Sequence, residues 1–330
     1  MLDAAALPAM EGTVGQTPTV PDLRVRPGPM WSDRIARGLY LLAGLMAFAV
    51  LAFILWTLTE RTIEFFGYVP LTEFFGGTHW YAVEGPDASW GVWSLIYGSL
   101  VITGGAVLIG LPLGLGTAIY LAEYASPRVR SIVKPALELL AGIPSIVLGF
   151  FALFVISPWL RDATRPGTLL GSLCGHANLF SVASATIVVG IMVIPIIATL
   201  SEDAIRAVPR HLREASYGMG ATKWETTRSV VLPAALSGIT AGVVLGASRA
   251  IGESMAVAMA AGSTPNWGAT ACEPAQTMTG FIVIRSLGDI QAHGPEYLSL
   301  FAVGMTLFVM TWGLNLVANR FVRKYREVDA

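Results

Sequence analysis

Five long stretches of the sequence contain no Asp, Glu, Lys or Arg, and most of their residues are apolar. They comprise 22 residues from Gly38 to Thr59, 35 from Ala88 to Ala122, 22 from Leu139 to Leu160, 35 from Gly167 to Ser201 and 23 from Tyr297 to Asn319. A membrane-spanning helix needs about 20 predominantly apolar residues. The pattern therefore predicts an integral membrane protein.

A sixth apolar stretch, from about Ala235 to Ala261, is interrupted only by Arg249 and Glu253. We therefore predict an all-α membrane protein with six transmembrane helices in a domain covering residues 37–319. Residues 1–36 are expected to form a flexible cytoplasmic tail, and residues 320–330 a cytoplasmic C-terminal tail. The predicted helices are 37–58, 97–121, 136–157, 180–200, 235–260 and 298–319.

Glycine and proline interrupt predicted helices 2, 3 and 4, whereas helix 1 contains no proline. The breakers are Gly110, Pro112, Gly114 and Gly116, then Gly142, Pro144 and Gly149, then Gly190 and Pro195. In lipid such residues are tolerated where neighbouring helices satisfy the freed backbone groups. We therefore expect helices 2 to 5 to face one another, with helix 1 peripheral.

The distribution of basic residues predicts the orientation in the membrane. Both tails and the alternate loops 122–135 and 201–234 together contain 16 Lys and Arg, while the other loops contain four. Basic residues are enriched in cytoplasmic loops. Both termini are therefore expected to be cytoplasmic, which agrees with an even number of spans. The opposite face has nine acidic residues against four basic ones and would repel a free anion.

The composition and the missing motifs exclude several classes of protein. Hydrophobic residues make up 54% of the chain and charged residues 13%, where a soluble domain has about 25% charged residues. None of the three lysines follows a glycine, so no Walker A loop is present, and neither HExxH nor GxSxG occurs. We therefore expect a protein that is not an enzyme by itself and that binds no cofactor or metal of its own.

Arg249 and Glu253 are four residues apart, which places them on one face of the predicted fifth helix. Each costs roughly 2.5–3.5 kcal/mol at the centre of a membrane helix, so the pair should face a partner or a wet cavity. One interpretation is that Arg249 meets an anionic cargo while Glu253 holds the guanidinium. The alternative is a structural ion pair that locks the helix to a neighbour.

The 201–234 loop has the pattern of two short helices joined by a turn. Pro209 suits a first helical position, Gly218 and Gly220 suit a helix stop, and Thr222-Lys-Trp-Glu225 has the form of a capping box. A solvated connector and a DNA-binding helix-turn-helix are alternatives. Membrane tethering argues against the second, and we expect no nucleic-acid partner.

A longer pattern in this loop resembles the EAA loop of ABC-transporter permeases. Glu214-Ala-Ser216 is followed after three residues by Gly220, then after nine by Val230 and after one more by Leu232-Pro233. The family pattern has Ala and Ile where this chain has Ser216 and Val230. The resemblance implies a coupling helix seated on a separate ATPase, which binds ATP and Mg²⁺. It assigns that contact to Glu214, Ala215, Ser216 and Gly220.

Further stretches resemble the PstC-type permeases of bacterial phosphate ABC importers. They are Leu111–Tyr124, Lys134–Ser145, Arg249–Ser254 and Gln276–Thr279. The resemblance covers about residues 65–320 and implies type I importer architecture in the bacterial inner membrane, with a requirement for Arg249 and Glu253 in phosphate passage. It further implies a homologous second permease (PstA-like), an ATPase dimer (PstB-like) and an external phosphate-binding protein (PstS-like). The sister PstA-type subunit, a permease for molybdate or sulfate, and a secondary transporter are the alternatives.

Four further predictions concern individual side chains and one segment. Cys174 and Cys272 both fall in loops assigned to the outer face and either form a disulfide or remain independent thiols. Glu138 is expected to reach the membrane interface or to pair with Lys134. Ser99, Thr103 and Ser145 are polar candidates for the path, although such hydroxyls more often bond their own backbone. Residues 276–291 are expected to form a short helix.

Overall fold

The computed structural model describes residues 30–83, 85–288 and 294–326, and six helices in these ranges are long and apolar enough to cross a membrane. The helices are α1 (Met30–Tyr68), α2 (Leu71–Gly76), α3 (Trp93–Ile119), α4 (Pro127–Gly142), α5 (Ser145–Phe151), α6 (Ser157–Ala163), α7 (Leu169–Cys174), α8 (Val182–Ala207), α9 (Arg210–Gly218), α10 (Lys223–Thr226), α11 (Leu232–Ile251), α12 (Met255–Ala261), α13 (Met278–Ser286) and α14 (Pro295–Arg326). Three π-helical segments continue or join them at Tyr120–Tyr124, Ala152–Ile156 and Thr227–Val231. The prediction of an all-α membrane protein with six spans is confirmed.

The chain divides into two compact units, Met1–Leu55 and Trp56–Ala330. The described part of the first unit is the N-terminal portion of α1, an apolar helix. In the second unit, the two short antiparallel strands β1 (Trp80–Tyr81) and β2 (Ser89–Trp90) pair Trp80 with Trp90. The indole ring of Trp80 packs edge to face against Trp90, Phe74 and Phe281 in a small aromatic core.

Close packing of α3 against α8 forms the centre of the second unit. A Cβ atom on Gly110 would lie 3.2 Å from the backbone oxygen of Gly190, and one on Gly114 would lie 2.9 Å from Cβ of Ile197. Small residues let membrane helices approach closely, because packing rather than the hydrophobic effect drives their association. Gly110 of the second span thus faces Gly190 of the fourth, and these two spans pack against each other as expected.

The third predicted span is wrong at its start, because the chain breaks at Ile143 and Pro144 between α4 and α5. Ile143 has an extended backbone, with ψ 129°, because the proline that follows it disfavours the helical conformation. The span begins at Ser145 and continues through the π-helical segment into α6, ending at Ala163. The preceding α4 is a separate helix with Ile132 and Leu139 exposed.

Ion pairs attach α4 to the buried end of α8. Nε of Arg130 lies 2.7 Å from Oε1 of Glu202, at an angle that does not suit a hydrogen bond. Nζ of Lys134 lies 3.5 Å from the other oxygen of Glu202 and 3.2 Å from Oδ1 of Asp203. Of the two roles expected for Glu138, pairing with Lys134 is wrong, because Lys134 reaches across to α8 and Glu138 is exposed.

The fifth predicted span, 235–260, is also wrong as a single helix. It starts earlier, at α10, and α11 ends at Ile251, so that Gly252 to Ser254 separate it from α12. The other spans are longer than predicted, and α1 and α14 extend into residues assigned to the tails. The short helix predicted over 276–291 is α13, Met278–Ser286, and residues 289–291 lie outside the described residues.

Candidate functional site

Arg249 and Glu253 lie at the break between α11 and α12. Nη1 of Arg249 is 3.5 Å from Oε2 of Glu253. The two ends of this pair differ in environment, since the Arg249 side chain is 50% exposed and that of Glu253 is 3% exposed. Glu253 lies beyond the end of α11 at Ile251, so the pair forms across a helix end and not along one helix face as predicted.

The carboxylate of Glu253 also binds the first amides of α12. Its Oε1 accepts hydrogen bonds from the backbone N–H of Ser254, at 3.2 Å, and of Ala256, at 3.3 Å. A side chain that bonds nearby backbone groups in this way competes with the helical pattern. The break thus places one carboxylate between a new helix start and a guanidinium.

The two helices that follow breaks, α5 and α12, pack directly against each other. A Cβ atom on Gly149 of α5 would lie 3.0 Å from Sδ of Met259 and 3.2 Å from Cα of Ala256. Irregular backbone at membrane depth is tolerated where it is buried in protein or lines a cavity. The break in the fifth span is therefore packed on one side by a segment that is itself interrupted.

The loop between the fourth and fifth spans folds as the predicted helix–turn–helix. Pro209 is the residue before α9 and not its first residue, and Gly220 has φ +84°, a conformation that suits glycine. The capping box is confirmed: Thr222 Oγ1 accepts from the N–H of Glu225, and Glu225 Oε2 accepts from the N–H of Thr222 at 2.7 Å.

The four residues assigned to the coupling contact do not share one environment. Glu214, Ala215 and Gly220 are exposed along α9 and its turn. The hydroxyl of Ser216 instead lies 2.8 Å from that of Thr226, in a hydrogen bond between the two short helices. Ser216 thus stabilises the loop from inside, and the outer surface is formed by the other three residues.

Two features of this loop were not found from the sequence. Met219 is 89% exposed at the turn between Gly218 and Gly220 and is not singled out by the sequence. Arg213 is largely buried and donates to Glu123 Oε1 as well as to the backbone oxygens of Ile205 and Val208. The Arg–Glu pairing joins residues 90 positions apart, so no local pattern could indicate it.

The loops that contain Cys174 and Cys272 lie together, and the structure joins the two sulfur atoms in a disulfide with a Cα–Cα distance of 5.7 Å. Backbone hydrogen bonds link the same loops, from Asn178 N to Cys272 O at 3.0 Å and from Val182 N to Glu273 O at 2.9 Å. Of the remaining polar candidates, Ser99 bonds its own helix at Leu95 O. Within the described ranges no group of three or more His, Cys, Asp or Glu could hold a metal ion.

The comparisons with known proteins agree with this architecture. Residues 110–327 match the family described as binding-protein-dependent transport system inner membrane component. A probable ABC transporter permease protein, YqgH, of Bacillus subtilis is 36% identical over 78% of this chain and 79% of its own length. The phosphate transport system permease protein PstC of Haemophilus influenzae is 31% identical over 90% of this chain and 95% of its own.

One further curated relative and one solved structure are also similar to this chain. Phosphate transport system permease protein PstA 1 of Mycobacterium tuberculosis is 30% identical over 89% of this chain and 90% of its own length. A crystal structure of a bacterial alginate ABC transporter matches with a TM-score of 0.58 and 18% identity, over 89% of this chain and 97% of that one. The fold is therefore that of a type I ABC importer permease. Together with the family match, these relatives show that the chain belongs to the binding-protein-dependent transport system inner membrane components, a family of ABC transporter permeases.

Proposed function

We propose that this chain is a permease subunit of an ATP-driven importer of inorganic phosphate and forms one half of the translocation path. The observation on which this depends most is a half-exposed Arg249 beside a buried, backbone-bonded Glu253 at a helix break. The names of the PstC and PstA relatives supply the cargo, because the site chemistry alone favours any small oxyanion.

Arg249 is the partner that moves to the passing anion. Two backbone N–H groups hold the carboxylate of Glu253, whereas Nη1 of Arg249 lies 3.5 Å from its Oε2. A phosphate oxygen can replace that contact without leaving the buried carboxylate unpartnered. Because Glu253 competes with the cargo, binding stays weak enough for release, which conduction requires.

The 201–234 loop couples the path to a partner ATPase. Glu214, Ala215 and Gly220, with the exposed Met219, form the outer surface that we assign to this contact, and Ser216 supports them from inside. An ATPase dimer binds ATP and Mg²⁺, while this chain binds no cofactor. Closure of the dimer on ATP moves the loop and opens the path to the opposite face.

The remaining partners follow from charge and from the family. The 16 basic residues of the tails 1–36 and 320–330 and of the alternate loops favour a cytoplasmic position for both termini in a bacterial cell. Nine acidic residues on the outer face repel free phosphate, so an external binding protein delivers it. A homologous second permease provides the other half of the path.

The substitution Arg249→Gln tests this function in the assembled transporter. We expect it to abolish phosphate uptake into proteoliposomes while the subunits still co-purify, because a neutral amide attracts no anion. Arg228→Gln is the matched control and should transport normally, because Arg228 is exposed and lies outside the surface assigned to the ATPase contact. Normal uptake by the Arg249 variant would refute the role, and parallel uptake of molybdate and sulfate identifies the cargo.

A further inference from the structure

The break between α11 and α12 is bonded from the side by the first turn of α13. Oγ1 of Thr279 donates a hydrogen bond of 2.6 Å to the backbone oxygen of Glu253. Both residues are buried, with relative exposures of 8% and 3%. This hydrogen bond therefore joins the backbone of Glu253, whose carboxylate pairs with Arg249, to a different helix.

A side-chain donor matters at this point because the chain has left its helix. Glu253 lies between the end of α11 and the start of α12, where the regular helical bonding is interrupted. A buried carbonyl without a donor is strongly unfavourable. The hydroxyl of Thr279 satisfies this oxygen and fixes the direction in which the Glu253 side chain leaves the backbone.

The first turn of α13 is itself anchored at several points. The hydroxyl of Thr277 accepts from the N–H of Gly280 at 3.1 Å and lies 3.2 Å from the hydroxyl of Thr279. The N–H of Met278 donates to Oγ of Ser99 in α3 at 3.0 Å. The hydroxyl of Thr279, which donates to Glu253, thus belongs to a helical turn that is itself hydrogen-bonded to the second span.

We propose that Thr279 is a positioning residue for the Arg249–Glu253 pair. By holding the backbone of Glu253, it keeps the carboxylate both on the first amides of α12 and within reach of Arg249. Without the Thr279 hydroxyl, the carboxylate of Glu253 can move with the guanidinium of Arg249. The two then stay paired, and Arg249 no longer exchanges from Glu253 to phosphate. This inference rests on the proposed function of the pair and adds a residue that does not touch the cargo.

The test compares Thr279→Val, which removes only the hydroxyl at nearly constant shape, with Thr279→Ser, which keeps it. The complete transporter is reconstituted, and phosphate uptake is measured per assembled complex over a range of loaded binding protein. For the Val variant we expect the maximal rate to fall about tenfold, as loss of one buried hydrogen bond implies, with the half-saturating concentration unchanged within about twofold. The Ser variant should keep the wild-type rate.

Thr306→Val is the matched control, because the hydroxyl of Thr306 bonds only the backbone of its own helix, at Ala302 O. It should transport as the wild type does. If Thr279→Val does not assemble, Thr279→Cys replaces it, since a thiol is a weaker donor of similar size. A several-fold lower maximal rate is then expected.

Two results would overturn the proposal: a wild-type rate in the Val or Cys variant, or a Ser variant as impaired as the Val variant. Arg249→Gln in the same preparation separates this outcome from failure of the proposed function. An inactive Arg249 variant beside a normal Thr279 variant removes only the positioning role. A normal Arg249 variant removes the function of the pair itself.

Discussion

Arg213 and Glu123 join the 201–234 loop to the end of the second span, with Nη2 of Arg213 3.0 Å from Oε1 of Glu123. The same guanidinium donates to the backbone oxygens of Ile205 and Val208, where α8 ends. One side chain of α9 therefore contacts the ends of two spanning helices. Glu123 lies in the π-helical segment Tyr120–Tyr124, a type of irregularity that is frequent at functional sites.

We predict that Arg213→Gln uncouples ATP hydrolysis from transport. The charged hydrogen bonds that it removes contribute roughly 1.5–3 kcal/mol each, so movement of the loop would no longer displace both helices together. Uptake per ATP hydrolysed in proteoliposomes should fall at least fivefold. Arg228→Gln, elsewhere in the loop, should leave this ratio unchanged, and an unchanged ratio in the Arg213 variant would contradict the assignment.

Met219 offers a second test of the coupling surface. Its side chain is 89% exposed at the turn after α9 and is expected to enter a groove of the ATPase. Met219→Glu should reduce recovery of the ATPase with the permease, because a carboxylate must be desolvated to enter an apolar groove. Met219→Leu keeps the apolar volume and serves as the control. Equal recovery of the ATPase with both variants would show that Met219 lies outside the contact.

The sequence predicted the spans because the length of an uncharged stretch depends on local composition alone. It did not predict where two of them break. A proline such as Pro144 is tolerated in many membrane helices, so its presence alone does not predict that α4 ends at Gly142 and that α5 begins after Pro144. The break at Gly252–Ser254 has no proline and involves contacts of Glu253 with α12 and with Thr279, 26 residues away.

The candidate site could be predicted in part, namely where its features depend on residues that are close together in the sequence. The i and i+4 spacing of Arg249 and Glu253 identified the pair, and the capping box identified the start of α10. The hydrogen bond of Ser216 with Thr226 and the partners of Arg213 depend on how separate helices pack. Such contacts have no local signature, so only the three-dimensional structure could reveal them.

The disulfide between Cys174 and Cys272 predicts the behaviour of both thiols in the membrane. We expect neither to react with a thiol reagent unless a reductant is added first, since disulfides persist outside the cytoplasm. Replacing both with serine should lower stability by about 2–4 kcal/mol at most, because backbone hydrogen bonds still join the two loops. Labelling before reduction would contradict the bridge.

The most direct test of the account is phosphate uptake by proteoliposomes that contain this chain with and without its partners. With the second permease, the ATPase dimer, internal ATP and external binding protein, we predict uptake that stops when ATP is withheld or when the ATPase is omitted. If this chain carries phosphate without the ATPase, or if the complete complex carries none, the claim that it is a path moved by a partner ATPase is wrong.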